Sequence, residues 1–128
     1  MKLTLNEIKS VSLLEPQKRY NYFIKKVADS EIMYSLKDKE GRWATSEVEG
    51  KKLFSLWTAK EYAANCIIGE WDNYKPYKIT LDEFQNQIID YLEENDFLLN
   101  IFSIKSNSGF VVSLSEFVQD LTDELNKY

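Results

Sequence analysis

A segment in which short apolar runs alternate with turn residues, from position 31 to 57, restricts the fold more than any other feature of the chain. It reads "EIMYSLK", "DKEG", "RWATSEV", "EG" and "KKLFSLW". Runs of this length bounded by turn residues are typical of short strands, and Gly41 and Gly50 provide the backbone freedom that tight hairpin loops need. The segment predicts three consecutive strands in an antiparallel meander.

Apolar residues at helical spacing precede the meander. The stretch "TLNEIKSVSLLEPQKRYNYFIKKVADS" predicts a short helix and then a longer one that begins at Glu15-Pro16, because proline suits the first helical position. Tyr20, Phe23 and Val27 share one face of the longer helix, which we expect to end near residue 28.

Three further helices are predicted after the meander. The first lies in "AKEYAANCIIG", with Thr58 as its cap and Gly69 as its stop. The second begins at the capping box formed by Thr80 and Glu83 and runs to about residue 95. The last is "SLSEFVQDLTDELNKY", capped by the serine at position 113 or 115.

A second hairpin is predicted before the last helix, from "DFLLNIFSIK", the turn "SNSG" and "FVVSL". At 128 residues with 44% apolar content, the chain suits one continuous core. Strands and helices do not alternate regularly, which favours α+β over a doubly wound sheet. We expect a single α+β domain over residues 1–128, in which an antiparallel sheet (the meander plus the C-terminal hairpin) packs with about four to five helices.

Charge is divided unevenly along the chain. Residues 1–64 carry 12 Lys and Arg against 9 Asp and Glu, whereas residues 65–128 carry 4 against 12. An acidic half of this kind repels nucleic acid and suits a basic protein partner, or it is a solvated face that maintains solubility. The polar side of the last helix carries a row of acids that is open to both interpretations: Glu116, Asp120, Asp123 and Glu124.

The stretch "IGEWDNYKPYK" (residues 68–78), here called the aromatic connector, joins two predicted helices. Pro76 favours extended backbone before it, so "YKI" can form a short edge strand. Trp71, Tyr74 and Tyr77, with Asp72 between them, form either a part of the core or a contact surface, because Trp and Tyr dominate the energetics of interfaces.

Several chemistries are excluded by composition. The chain has no histidine, which removes Ser-His-Asp and Cys-His catalysis and the usual imidazole metal sites. It also has no glycine-rich phosphate loop and no calcium loop of alternating acids. Cys66 lies on the apolar stripe of its helix, which favours an inert thiol over a reactive one. We expect no cofactor, no metal and no catalytic residue.

Four stretches resemble a family of small bacterial proteins, Domain of Unknown Function 2750. They are "RYNYFIKKVADSE" (19–31), "GRWA" (41–44), "LFSLWTAKEYA" (53–63) and "GEWDNYKPYKITLDEF" (69–84). The resemblance implies a small intracellular α+β protein and no assigned reaction. In layout alone, a "GRW" strand, an "LW" strand and an alanine-rich helix are also similar to some bacterial toxin-immunity proteins.

These features favour a non-catalytic protein-binding module, in its most concrete form an immunity-type inhibitor of a basic toxin. The alternative is a small-molecule-binding or hydrolytic domain, with a cleft lined by Trp43, Trp57 and Tyr77 and with Asp72 or Glu70 as carboxylates. No stretch approaches the ~20 apolar residues that span a bilayer, and the amino terminus has no signal-peptide pattern. We therefore expect a cytoplasmic protein with no nucleic-acid or membrane partner.

Overall fold

The computed structural model describes residues 3–104 and 109–127, apart from the side chain of Glu70. Within these ranges the chain forms five helices and six strands. The helices are α1 (Leu5–Ser12), α2 (Pro16–Ser30), α3 (Lys60–Ala64), α4 (Leu81–Glu83, Phe84–Ile88 and Ile89–Glu94, the middle part π-helical) and α5 (Leu114–Leu125). The strands are β1 (Ile32–Lys37), β2 (Thr45–Val48), β3 (Lys51–Leu56), β4 (Lys75–Thr80), β5 (Leu98–Ile101) and β6 (Phe110–Val112). The predicted α+β class is confirmed.

Helix starts follow the predicted capping chemistry at most positions. Pro16 is the first residue of α2. The hydroxyl of Thr80 accepts a hydrogen bond from the backbone N–H of Glu83 at 3.1 Å, and the hydroxyl of Ser113 accepts one from Glu116 at 3.2 Å. Each bond satisfies one of the backbone donors that a helix leaves free at its start.

The prediction for α3 is wrong at both ends. Its N-cap is Ala59, and the buried hydroxyl of Thr58 has no hydrogen-bond partner in the described part of the chain. The helix ends at Ala64, and Gly69 instead begins a 3₁₀ turn with φ of 58°. The backbone N–H of Cys66 bonds to the carbonyl of Ala63, which tightens the chain out of the α-helical path.

The meander is also only partly correct. The hairpin of β2 and β3 forms as predicted. A turn returns the chain after β1, and Lys37 forms an isolated bridge with Trp43, but the ladder of β1 is with β4 in a separate two-stranded antiparallel sheet. The larger sheet has the order β2-β3-β5-β6, and β3 pairs with β5 in parallel. Pairing between distant segments depends on tertiary packing, which local turn signals do not report.

The C-terminal hairpin of β5 and β6 is antiparallel, as expected. Most of its predicted turn "SNSG" lies outside the described residues, but Gly109 is described. A Cβ atom there would lie 2.4 Å from the carbonyl oxygen of Ile101, so the close approach of the two chain segments requires glycine.

One hydrophobic cluster joins helices and sheets. Its centre is Phe117 of α5, which is fully buried and contacts Phe23 of α2 and Phe84 of α4 at ring-centroid distances of 5.9 and 5.6 Å. Three helices therefore meet at one ring. No helix in the described ranges is long and apolar enough to cross a membrane.

Several hydrogen bonds hold the chain just after β5. Phe102 is fully buried with φ of 62°, an unusual conformation for a bulky residue, and its backbone N–H bonds to the carbonyl of Leu56. The Nε of Arg19 donates to the carbonyl of Phe102 at 3.0 Å, and the indole N–H of Trp57 donates to the carbonyl of Ser103 at 2.7 Å. These bonds hold Trp57 in place beneath the aromatic connector.

Candidate functional site

The aromatic connector packs inward more than it faces solvent. Trp71, Tyr74 and Tyr77 are each half-buried and lie against the core. Trp71 meets the fully buried Trp57 edge to face, with ring centroids 6.5 Å apart. Asp72, the fourth residue predicted on the connector, is exposed. Of the two interpretations of the connector, this geometry favours core packing for the rings.

Tyr77 belongs to a small aromatic cage around a lysine. Its ring meets Trp43 edge to face at 5.2 Å, and its hydroxyl donates to a carboxylate oxygen of Glu83 at 3.1 Å. The ammonium of Lys37 lies 4.4 Å from the centroid of Trp43 and 4.2 Å from that of Tyr77. Two cation–π contacts therefore hold the end of a side chain that would otherwise be mobile.

An open groove of about 500 Å³ lies beside this cage. We call it the basic groove; its lining is Lys37, Asp38, Lys39, Asn73, Lys75, Pro76 and Tyr77. The carboxylate in this lining, that of Asp38, already accepts a hydrogen bond from the Nε of Arg42 at 2.8 Å. Burial opposes the ionisation of Asp38, but the hydrogen bonds and charge of Arg42 outweigh it, and the pKa of Asp38 is lowered.

A second open groove, of about 450 Å³, lies between α2 and α5. We call it the acidic groove; its lining is Gln17, Tyr20, Asn21, Ile24, Lys25, Asp120, Asp123, Glu124 and Lys127. The hydroxyl of Tyr20 donates to a carboxylate oxygen of Asp120 at 2.6 Å. Burial, that bond and the negative charges of Asp120 and Glu116 raise the pKa of Tyr20.

Two of the remaining acids of the predicted row bond to neighbours on their own helix or just after it. Asp123 accepts a hydrogen bond from the side-chain amide of Gln119 at 2.9 Å, and Glu124 pairs with Lys127 at 3.2 Å. Glu116 is exposed. Four of the eight predicted site residues line a groove: Asp120, Asp123 and Glu124 line the acidic groove, and Tyr77 lines the basic one. The other four line neither of these grooves: Trp71, Asp72, Tyr74 and Glu116.

The cleft suggested for a small molecule does not have the predicted lining. Trp57 is fully buried, with its indole N–H bonded to a backbone carbonyl, so it cannot face a ligand. Asp72 is exposed outside either groove lining. Within the described ranges, no group of three or more acidic or cysteine side chains could hold a metal ion.

Cys66 is buried, and its thiol lies 3.6 Å from the carbonyl oxygen of Ser103. Burial raises the pKa of the Cys66 thiol despite that hydrogen bond. A raised pKa leaves less thiolate at neutral pH, and the thiolate is the nucleophile. The inert interpretation is the one that this environment supports.

Sequence reasoning missed the lysines of the basic groove and the part of Tyr20 in the acidic one. Lys37 and Lys75 lie far apart in the chain and become neighbours through the pairing of β1 with β4, which places them directly opposite. Tyr20 was assigned only to the apolar face of its helix. The signal available was its position at the polar edge of that face, where a phenol hydroxyl can reach a charged neighbour.

Comparison with known proteins gives a family and no activity. The family model described as "Protein of unknown function (DUF2750)" matches residues 20–121, most of the chain. The match confirms the resemblance carried by "RYNYFIKKVADSE", "GRWA", "LFSLWTAKEYA" and "GEWDNYKPYKITLDEF". Among curated proteins, none matches.

Proposed function

The chain belongs to DUF2750, a family of proteins of unknown function, and we propose that it is a non-catalytic protein-binding module whose acidic groove binds a basic segment of a partner protein. The observation that carries the proposal is the convergence of Asp120, Asp123 and Glu124 on one groove between two helices. In its most concrete form the partner is a basic toxin met in the cytoplasm, and the module is an immunity-type inhibitor.

The charge of the acidic groove supports a cationic occupant. Its rim has three carboxylates against Lys25 and Lys127, and Lys127 already pairs with Glu124. The side chain of Lys127 is 66% exposed, whereas that of Glu124 is 12% exposed. Because Lys127 is mostly in water, its attraction to Glu124 is partly screened, and a partner's lysine or arginine can replace Lys127 beside that carboxylate. Glu116, exposed on the same helix, extends the negative field beyond the rim.

The floor of the groove supplies the apolar part of an interface. Tyr20 and Ile24 are buried and line the groove between its polar walls. Interfaces between proteins commonly have an apolar centre and a polar rim. Negative charge at the rim accelerates encounter with a basic partner, and the desolvated floor supplies affinity after contact. The rings of the connector pack on the core, so the proposal assigns them a structural part and leaves Asp72 as a peripheral contact.

The test is capture of partners by immobilised protein from the cells in which the chain occurs, at low and high salt. The wild type is compared with Asp123→Asn/Glu124→Gln, in which two rim charges are removed. We expect a basic protein to be retained by the wild type at low salt and lost by the variant. With that protein purified, its association rate should fall about tenfold in the variant at low salt.

A matched control is available at the end of α4. Glu93 and Glu94 are exposed neighbours in the last turn of a helix, and Asp123 and Glu124 are neighbours near the end of α5, where Asp123 is exposed and Glu124 is half-buried. Glu93→Gln/Glu94→Gln therefore removes the same charge from a helix end outside the lining of the acidic groove. The control should retain the partner like the wild type. If both double variants lose it equally, net charge and not the acidic groove is responsible; if neither loses it, the groove is not the binding surface.

A further inference from the structure

The basic groove carries an inference beyond the proposed function. Three lysines, Lys37, Lys39 and Lys75, line a concave site of about 500 Å³. Ligand sites for small molecules commonly have volumes of this order. We propose that this groove binds a small multivalent anion of the phosphate class, such as a free phosphorylated metabolite.

Among the described residues, the three lysines of the groove form no ion pair. In residues 3–104 and 109–127, the ion pairs that involve this region are those of Arg42 with Asp38 and Glu40, and none includes Lys37, Lys39 or Lys75. Asp38, the carboxylate of the groove lining, accepts from the Nε and backbone N–H of Arg42 and from the backbone N–H of Glu40. Its two oxygens thus face donors of their own turn.

The strand register places two of the lysines against each other. Lys37 of β1 lies directly opposite Lys75 of β4 in an antiparallel ladder, where like charges destabilise the pair. The same face of the ladder is fully buried at the other end, where Met33 lies opposite Ile79. A rigid, core-anchored surface therefore ends in two adjacent positive charges, and an anion bound between them would remove the repulsion.

The cage fixes the direction of one of these charges. The ammonium of Lys37 lies within 4.4 Å of two ring centroids, and both rings pack on the core. A ligand that contacts Lys37 consequently meets a charge that is already ordered, which lowers the entropic cost of binding. Lysine acts as a compact point charge and is a common binder of phosphate groups.

Size and net charge argue for a small ligand over a polymer. The chain has a net charge of −5, with an acidic groove elsewhere on its surface, and this field repels an extended polyanion such as nucleic acid or an anionic bilayer. A small anion confined to the groove experiences mainly the local lysines, because charges beyond about 10 Å are screened at physiological salt.

The experiment is calorimetric titration of the full chain with pyrophosphate at an ionic strength of about 0.15 M, where exposed charges more than about 8 Å apart are largely screened. Tryptophan fluorescence is a second readout, because the ammonium of Lys37 lies 4.4 Å from the ring centroid of Trp43. We expect saturable binding by the wild type. The variant Lys39→Ala/Lys75→Ala should bind at least about tenfold more weakly, since hydrogen bonds to charged groups contribute strongly to affinity. Both side chains are exposed, so the fold should persist, as circular dichroism would verify.

The control is Lys51→Ala/Lys60→Ala, which removes two exposed lysines from outside the groove lining. It should bind pyrophosphate within about twofold of the wild type, as weak screened interactions imply. Equal weakening in both double variants would overturn the site, as would the absence of saturable binding. Binding to vesicles that contain phosphatidic acid, without binding to pyrophosphate, would assign the lysines to a membrane surface and overturn the small-ligand proposal.

Discussion

The basic and acidic grooves are similar in size and opposite in charge, and they differ most in how their charged groups are held. In the basic groove, the ammonium of Lys37 lies against two rings that pack on the core. In the acidic groove, the carboxylates are held by polar side chains such as Tyr20, Gln119 and Lys127. We therefore expect substitutions at the cage of the basic groove to change the stability of the fold, and substitutions at the rim of the acidic groove to change it little.

Neither groove belongs to one half of the sequence. The basic groove joins Lys37 and Lys39 from the basic half with Lys75 from the acidic half, and the acidic groove combines carboxylates of α5 with Tyr20 of α2. The count of charged residues in each half of the sequence therefore indicates the acidic helix α5 correctly but does not indicate the basic groove. Surface charge depends on which strands and helices pair.

The largest effect that tests this difference is expected from Trp43→Ala. The ring of Trp43 packs against the buried Phe54 at a centroid distance of 5.2 Å, contacts Tyr77 edge to face, and forms a cation–π contact with Lys37. Because its ring joins the groove to the core, its loss should lower the free energy of unfolding by about 2 to 3 kcal/mol, near the lower end for large aromatic truncations since Trp43 is half-buried. Urea denaturation would measure it.

The control for this prediction is Trp43→Phe, which keeps an aromatic ring over Lys37 and against Phe54. It should recover at least half of the lost stability, because most of the buried ring area is retained. Trp43→Ala could instead unfold at the same urea concentration as the wild type. The packing of the cage on the core would then contribute nothing to stability, and the proposed difference between the two grooves would be wrong.

An intermediate effect is expected in the acidic groove from Tyr20→Phe. The variant loses the hydrogen bond to Asp120, and since that carboxylate is exposed we expect a loss of about 1 kcal/mol at neutral pH. The pKa of Tyr20 is raised in the fold above its ordinary value near 10, so its contribution is present below pH 10 and is lost as the pH rises above it. The stability difference between wild type and variant should therefore shrink, and then reverse, in alkaline solution.

Tyr62→Phe is the contrasting variant for this prediction. Its ring packs against that of Phe102, and its buried hydroxyl has no hydrogen-bond partner among the described residues. Burial raises the pKa of Tyr62 to about 12. Removing an unpaired hydroxyl should leave neutral stability within about 0.5 kcal/mol of the wild type or increase it. If Tyr20→Phe and Tyr62→Phe behave alike at neutral pH, the bond to Asp120 contributes nothing measurable.

What the sequence predicts well is what depends on neighbours in the chain. The starts of α2, α4 and α5 follow from Pro16, Thr80 and Ser113, since a cap acts within one turn. The hairpin of β2 and β3 follows from its turn at Gly50 for the same reason. The acidic row on α5 was also predictable, because helical spacing places its members on one polar side.

The features that the sequence does not predict are those that depend on contacts between distant segments of the chain. The ladder of β1 with β4 and the parallel pair of β3 with β5 each cross intervening elements, and no turn signal specifies them. The basic groove is a consequence of the first of these pairings, so it was invisible for the same reason. The residue type of Thr58 suits a cap, but the N-cap is Ala59, and the buried hydroxyl of Thr58 has no hydrogen-bond partner among the described residues.

The smallest expected effect concerns the carboxylate inside the basic groove. Arg42→Ala removes the guanidinium that bonds to Asp38 at 2.8 Å, so the Asp38 carboxylate loses its ion-pair partner and its negative charge opposes that of an anion bound at the three lysines. Repulsion of a bound anion by one such charge several ångströms away is weak in a watery groove, so pyrophosphate affinity should fall only about twofold. Asp38→Asn/Arg42→Ala should restore it, since the amide oxygen can still accept from the backbone of the turn. If the double variant binds pyrophosphate like the wild type, the loss in Arg42→Ala is an effect of charge. If its affinity stays low, Arg42 acts by fixing the conformation of the turn, and the basic groove is less rigid than its aromatic cage indicates.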